Sequence, residues 1–167
     1  LRDSTAQVWP YLPLIKKDKK IKNLIKGLIN RQAKCVIRDP YANSFYKDLS
    51  RVSAHNKDIP TPIAGVHEQK WEVDSLCYVI RLSYHYYKFS GDNSIFDETW
   101  IKSSKLIYDT FLTEQRKDGK SPYRFIRNGT AMVDAPLFSG TGRPFKPNGM
   151  ICSMFRPCLL YTSPSPR

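Results

Sequence analysis

Apolar residues along the chain recur mostly at helical spacing, three and four positions apart. In the stretch KWEVDSLCYVIR (70–81), Val73, Leu76, Cys77 and Ile80 form one apolar stripe, which predicts the start of a helix running over 70–89. Ser90-Gly91-Asp92 is expected to end it. Ser94 is expected to open the next helix, with Asp97 in a capping-box position. Trp100, Ser104, Ile107 and Phe111 share its core face, with Ile101, Tyr108 and Leu112 beside them. That pattern stops at Lys117-Asp118-Gly119, so 70–118 reads as a helical hairpin.

Upstream, a helix over 18–37 carries Ile21, Leu24, Ile25, Leu28 and Ile29 on one side and lysines on the other. It should end at Asp39-Pro40, because a residue before proline avoids helical geometry. Before it, Ser4 reads as the cap of a short helix through Trp9, which Pro10 and Pro13 then break. The aromatic and amide-rich run DPYANSFYKD (39–48) reads as a loop, and 51–68 as irregular. Beyond 119 the period disappears, and glycines and prolines mark 120–149 as a long loop, or one with a short β-turn excursion. ICSMFR (151–156) then leads to Pro157.

Composition bounds the class. At 167 residues with 41% hydrophobic and 13% aromatic side chains, the chain is one domain or part of one and can build a core. No apolar run approaches the ~18 residues of a membrane span. No initiator Met or leader is present, so Leu1 is not expected to be a natural start, and localisation is not legible. The four cysteines, Cys35, Cys77, Cys152 and Cys158, fit neither a zinc site nor a disulfide framework; Cys77 reads as a small core residue. The net charge of +12 owes much to Lys16–Lys26, which reads as the wet side of a helix or as a patch for acidic glycans, lipid headgroups or nucleic acid.

The candidate chemistry is carboxylate and aromatic. Glu72 and Asp74 lie in the first turn of the 70–89 helix beside Trp71. Acids there are stabilised by the helix dipole, and they also suit sugar recognition, with an indole over the C–H face and carboxylates accepting hydroxyl hydrogens. Arg2 and Asp3 read as a local ion pair with a capping acid, or as ligands. Tyr41, Asn43 and Phe45 either line a sugar site or pin their loop. Of Tyr84, His85, Tyr86 and Tyr87, helical spacing favours a core role, and His85 alone is no metal site.

The motifs LRDSTAQVWPYL, RDPYANSF, KWEVDSLCY and GTGRPFKPNGMICSMFRP resemble, in order, those of glycoside hydrolase family 125, inverting exo-α-1,6-mannosidases related to fungal meiotically up-regulated mannosidase-like proteins. The resemblance covers residues 1–157. It implies an all-α fold, a partial (α/α)6 toroid, incomplete here because each of six hairpins takes about 45–50 residues. It implies that 1–157 is the amino-terminal part of a catalytic domain. The tail CLLYTSPSPR (158–167) resembles a sequencing-adapter read-through and is expected to be non-native.

An inverting glycosidase needs a general acid and a general base, about 6.5–9.5 Å apart. The resemblance places an acidic pair soon after Phe155-Arg156-Pro157, where this chain has Cys158, Leu159 and Leu160, and it places the base further on. Leucine cannot transfer a proton. No residue here is therefore assigned a catalytic role, and the chain is expected to be inactive as written. By the same resemblance Arg2, Asp3, Glu72 and Asp74 bind the terminal mannose, Arg156 holds a carboxylate or hydroxyl, and Tyr41 and Asn43 are further candidates. The implied partner is an α-1,6-linked mannose-containing glycan, with no cofactor, no metal and no nucleic acid. Another six-hairpin glycosidase and a non-enzymatic basic binding module are the competing readings.

Overall fold

A computed structural model of the chain describes residues 1–115 together with Tyr123, Phe125 and Arg127. The expected helix stop at 117–119, most of the 120–149 loop, the 151–156 stretch, Arg156 and the 158–167 tail lie outside the described residues. The elements are α1 (Arg2–Val8), a 3-10 helix (Trp9–Leu14), α2 (Lys19–Arg38), β1 (Ser44–Phe45), β2 (Val66–Glu68), α3 (Val73–Ser90) and α4 (Glu98–Glu114). No helix among the described residues is long and apolar enough to cross a membrane.

Local chemistry sets most boundaries. Asp18 caps α2 by accepting from the backbone N–H groups of Lys20 and Ile21, and α2 ends one residue before Asp39-Pro40. Gly91, at φ 69°, closes α3 in the left-handed conformation. Three starts differ from expectation. α3 begins at Val73 and not at 70, which leaves Glu72 as its extended N-cap residue and only Asp74 in the first turn. Ser4 lies inside α1, its hydroxyl donating to Leu1 O, so the helix begins at Arg2. Asp97 is itself the cap of α4, accepting from Trp100 N, while Ser94 folds back onto Asp92. α1 ends at Val8, just before Pro10 as expected, and the segment that holds Pro10 and Pro13 continues as the 3-10 helix.

The 39–68 region is less irregular than the sequence implies, because β1 and β2 pair antiparallel, Ser44 opposite Glu68 and Phe45 opposite Val66. The turn into β2 depends on Gly65 at φ 84°. A Cβ there would lie 2.9 Å from both the Cα and the O of Leu49. At Gly91 a Cβ would meet nothing within 4 Å. Gly65→Ala is therefore expected to cost clearly more stability than Gly91→Ala, for which the left-handed backbone alone costs about 1–2 kcal/mol. Urea denaturation of the two variants compares them, and equal losses would contradict the packing argument.

α2 is the central element: α3 and α4 both pack on it, and α1 packs on α3. Two cores result. One gathers Val36, Trp71, Leu76, Val79, Ile107, Tyr123 and Phe125. The other gathers Leu12, Ile15, Ile25, Ile29, Leu82, Tyr86 and Ile95. The turn at 91–97 joins α3 to α4, which meet where Trp100 Nε1 donates to Ser83 Oγ at 2.9 Å.

The faces turned to these cores correct the periodic reading. On α3 the buried residues are Ser75, Leu76, Val79, Leu82, Ser83 and Tyr86, whereas Cys77 and Ile80 are exposed. The covered face is rotated by about one residue step, ~100°, from the expected stripe. So much of α3 is apolar that period alone does not select a face; the small Ser75 and Ser83 mark where neighbours come close. Tyr84 and Tyr87 stay exposed, and only Tyr86 of that run is core. On α4, Ser103, Ile107, Thr110 and Glu114 are buried, and Ile101, Tyr108 and Leu112 are exposed. Ser103 and Thr110 tolerate burial because their hydroxyls donate to Trp100 O and Leu106 O. Leu24 of α2 is likewise exposed.

Candidate functional site

The start of α1 and the start of α3 meet, and their charged residues form one cluster. Arg2 Nη1 lies 3.0 Å from Asp74 Oδ2 and 3.7 Å from Glu72 Oε2. Arg2 Nε lies 3.3 Å from Asp3 Oδ1. The local Arg2–Asp3 pair thus exists, and a pairing that bridges 72 positions of sequence exists beside it. The hydrogen bond to Asp74, with Glu72 close by, holds the guanidinium even further above its usual range against the effect of burial. Three carboxylates face one guanidinium, so the cluster is net acceptor. The Arg2 and Asp74 side chains are 41% and 44% exposed, open to an incoming hydroxyl-bearing ligand. Glu72 is more enclosed; its Oε2 also accepts from Ser75 Oγ at 3.1 Å.

The scaffold beneath explains why α1 is in place. Gln32, from the interior of α2, donates through Nε2 to Ser4 Oγ and Thr5 Oγ1, both at 2.9 Å, and to Leu1 O at 3.2 Å. Thr5 is fully buried and its hydroxyl also reaches Tyr78 O on α3 at 3.4 Å. Gln32 thereby fixes the turn that carries Arg2 and Asp3. Its signal in the sequence was a polar residue seven positions after Ile25 on an apolar face, a place where a side chain needs partners.

Trp71 does not offer its ring to solvent. It is 2% exposed and sits in the core, edge-on to Tyr41 at 5.9 Å and to Tyr123 at 6.4 Å. The expected sugar platform is therefore a core residue. Tyr41 stacks on Tyr123 at 4.5 Å and donates to Glu114 Oε1 at 3.1 Å. Tyr123 O–H donates to Gln69 O and accepts from Trp71 N–H, which locks the residue before Glu72. Phe45 lies in β1 and is half-buried.

Asn43 belongs to a second polar group. Its Nδ2 donates to Glu68 Oε2 at 2.7 Å. Glu68 Oε1 accepts from Arg127 Nη1 at 2.7 Å, and Arg127 Nε donates to Asp58 at 2.9 and 3.0 Å. Burial pushes the Glu68 carboxyl up, but the hydrogen bonds from Asn43 and Arg127 outweigh it and leave the group below its ordinary range. Asp39, also buried, is pushed up because its hydrogen bonds from Tyr41, Gln69 and Ala42 do not fully offset desolvation. Asp58, Glu68 and Arg127 carried no sequence signal, since single charges 59 and 69 positions apart reveal nothing of their pairing. Among the described residues no three His, Cys, Asp or Glu side chains group as a metal centre requires.

Comparison with known proteins gives this geometry a context. A family model described as metal-independent alpha-mannosidase (GH125) matches residues 1–159. The chain is 37% identical over 174 aligned positions to the meiotically up-regulated gene 157 protein of Schizosaccharomyces pombe, covering 94% of this chain and 34% of that protein. Among solved structures it is similar to a Streptococcus pneumoniae protein from a family of metal-independent α-mannosidases, in a non-productive substrate complex with α-1,6-mannobiose. The TM-score is 0.85 at 40% identity, over 93% of this chain and 36% of that one. The chain spans about a third of the length of the relatives it matches.

Proposed function

The chain belongs to glycoside hydrolase family 125, the metal-independent α-mannosidases, and from that premise we propose that it carries the mannose-binding wall of an exo-acting α-1,6-mannosidase. Its mostly helical described part matches a portion of that family's helical toroid.

The observation that carries the proposal is the convergence of Arg2, Glu72 and Asp74 in a half-exposed cluster, with Asp3 beside them. Adjacent hydroxyls of a pyranose present both donors and acceptors. A carboxylate set around one guanidinium accepts from the first and donates to the second. The neighbour's complex with α-1,6-mannobiose supports mannose and the α-1,6 linkage. Asn43 and Tyr41 act behind this cluster: Asn43 holds Glu68, and Tyr41 backs Trp71. Arg156, outside the described residues, is proposed as a further ligand of the sugar or of a carboxylate.

Hydrolysis is a different matter. Cys158, Leu159 and Leu160 stand where the family resemblance expects an acidic pair; no carboxylic acid is among them, and leucine cannot transfer a proton. The proposed behaviour of the chain as written is therefore binding without turnover, with 158–167 a non-native tail.

Titration of the chain with α-1,6-mannobiose by calorimetry tests both parts. Saturable binding is expected, with no mannose released on prolonged incubation. Arg2→Met and Asp74→Asn are each expected to weaken it about 10- to 150-fold, the ~1.5–3 kcal/mol of a hydrogen bond to a charged group. Equal affinity for an α-1,6-linked glucose disaccharide would favour another glycosidase of this architecture. Absence of saturable binding would sink the sugar-site reading, and release of mannose would sink the proposed inactivity.

A further inference from the structure

A second feature lies at the opposite end of α3 from Glu72 and Asp74. The 18 residues of α3 separate the two by about 25 Å. There, an open depression of about 590 Å³ is lined by Lys16, Lys17, Lys19, Lys22 and Lys26, with Ile15, Asn23, Ser90 and Asp92. We infer that this depression binds a compact polyanion bearing phosphoryl groups, independently of the sugar site.

Charge is the first argument. Among the described residues five ammonium groups share this depression with one carboxylate, and like charges held together on one surface repel unless an anion joins them. The carboxylate is already committed: Asp92 Oδ2 pairs with Lys22 at 3.2 Å and accepts from Tyr86 O–H, and Oδ1 accepts from Ser94. These bonds, those from Ser94 foremost, hold it well below the usual carboxylate range, so it stays ionised beside Lys22. Lys26 donates to Ser94 Oγ, a neutral partner. Asp18, next to Lys17 and Lys19, directs its carboxylate to the N–H groups that open α2. Among the described residues Lys16, Lys17 and Lys19 make no ion pair, and all three are exposed.

The kind of cation and the shape narrow the ligand. Among the described residues every basic group lining the depression is lysine, none arginine. Ammonium groups act as point charges that surround a tetrahedral oxyanion from several sides, whereas planar carboxylates suit the guanidinium fork. Among the described residues no aromatic ring lines the depression, so they supply none of the stacking platform that single-stranded nucleic acid uses. It is concave and of the volume that ligand sites commonly have, which fits a discrete polyanion better than a flat lipid surface.

Calorimetric titration with inorganic tripolyphosphate is the test. Saturable binding is expected, weakening with added salt and at least tenfold tighter than citrate. The variant K16Q/K17Q/K19Q should lose at least tenfold in affinity. A control variant with the same loss of charge at other exposed lysines, K47Q/K57Q/K102Q, should stay within about twofold of the parent, by the near-additivity of distant sites. All six positions are exposed, and circular dichroism verifies folding of both variants. Equal losses in the two variants would overturn the proposal in favour of a net-charge effect. Citrate binding as tightly as tripolyphosphate would overturn it as well. So would association with phosphatidylserine vesicles without tripolyphosphate binding, which would assign the lysines to a membrane surface. Mannobiose titration of K16Q/K17Q/K19Q should be unchanged, which separates this site from the sugar site.

Discussion

Arg127→Leu is expected to cost about 3–5 kcal/mol of folding stability, the penalty of stranding buried charge. The Arg127 and Asp58 side chains are 4% and 5% exposed, and Glu68 is 15% exposed. Removing the guanidinium leaves two carboxylates in a poorly solvated place, with Glu68 retaining, among the described residues, Asn43 at 2.7 Å and Lys70 at 3.9 Å. The double variant Asp58→Leu/Arg127→Leu should recover part of the loss, because an apolar pair of similar volume carries no desolvation cost. The pH dependence supplies an independent readout. In the native chain Glu68 is held below its ordinary range, so its contribution is present above about pH 4.5 and is lost as pH falls through its folded value. In Arg127→Leu, burial without the guanidinium raises the Glu68 carboxyl, so that variant should gain stability as pH falls from 7 towards 5. Denaturant midpoints across this range measure both. Parallel pH profiles for the two proteins would show that Arg127 does not hold these acids.

Trp71→Ala should destabilise by about 3–5 kcal/mol, as large-to-small changes in a packed core do. The ring is enclosed by Tyr41, Tyr123 and their core neighbours, so its loss opens a cavity. Trp71→Phe should cost far less. It keeps an aromatic body and removes an indole N–H that has no hydrogen-bond partner among the described residues, a group that burial penalises. The two substitutions also decide the functional role of the ring. If the tryptophan stacked on a sugar, Trp71→Phe would weaken mannobiose binding while sparing stability. The core position predicts near-native affinity for Trp71→Phe, and reduced affinity for Trp71→Ala only in proportion to unfolding. Thermal unfolding and mannobiose titration on the same samples distinguish the cases.

These two residues mark how far the sequence could be read. Trp71 was found by its motif, but its setting was not, because an indole beside two acids is compatible with an open face or a core. Arg127 was missed altogether. The positions of the helices were legible because their determinants are local: the cap at Asp18, proline after Asp39, glycine at 91 and a period of 3.6. Which face of each helix is covered was only half legible. Cys77 and Ile80 satisfy the period on α3 as well as Val79 and Leu82 do, and only the approach of α1 and α2 selects between them.

By itself, the sequence determined the helical class, most helix boundaries, the motif order that identifies the family, and the residue types of the candidate sugar site. Their assembly belongs to the tertiary structure. Arg2 reaches Asp74 across 72 positions because Gln32 and Thr5 tie α1 to α2 and α3. Arg127 reaches Asp58 across 69. Helix formation depends on bonds four residues apart, which a local pattern encodes. Pairing distant charges in a shared, desolvated place depends on chain closure and burial, and those exist only once the helices have packed.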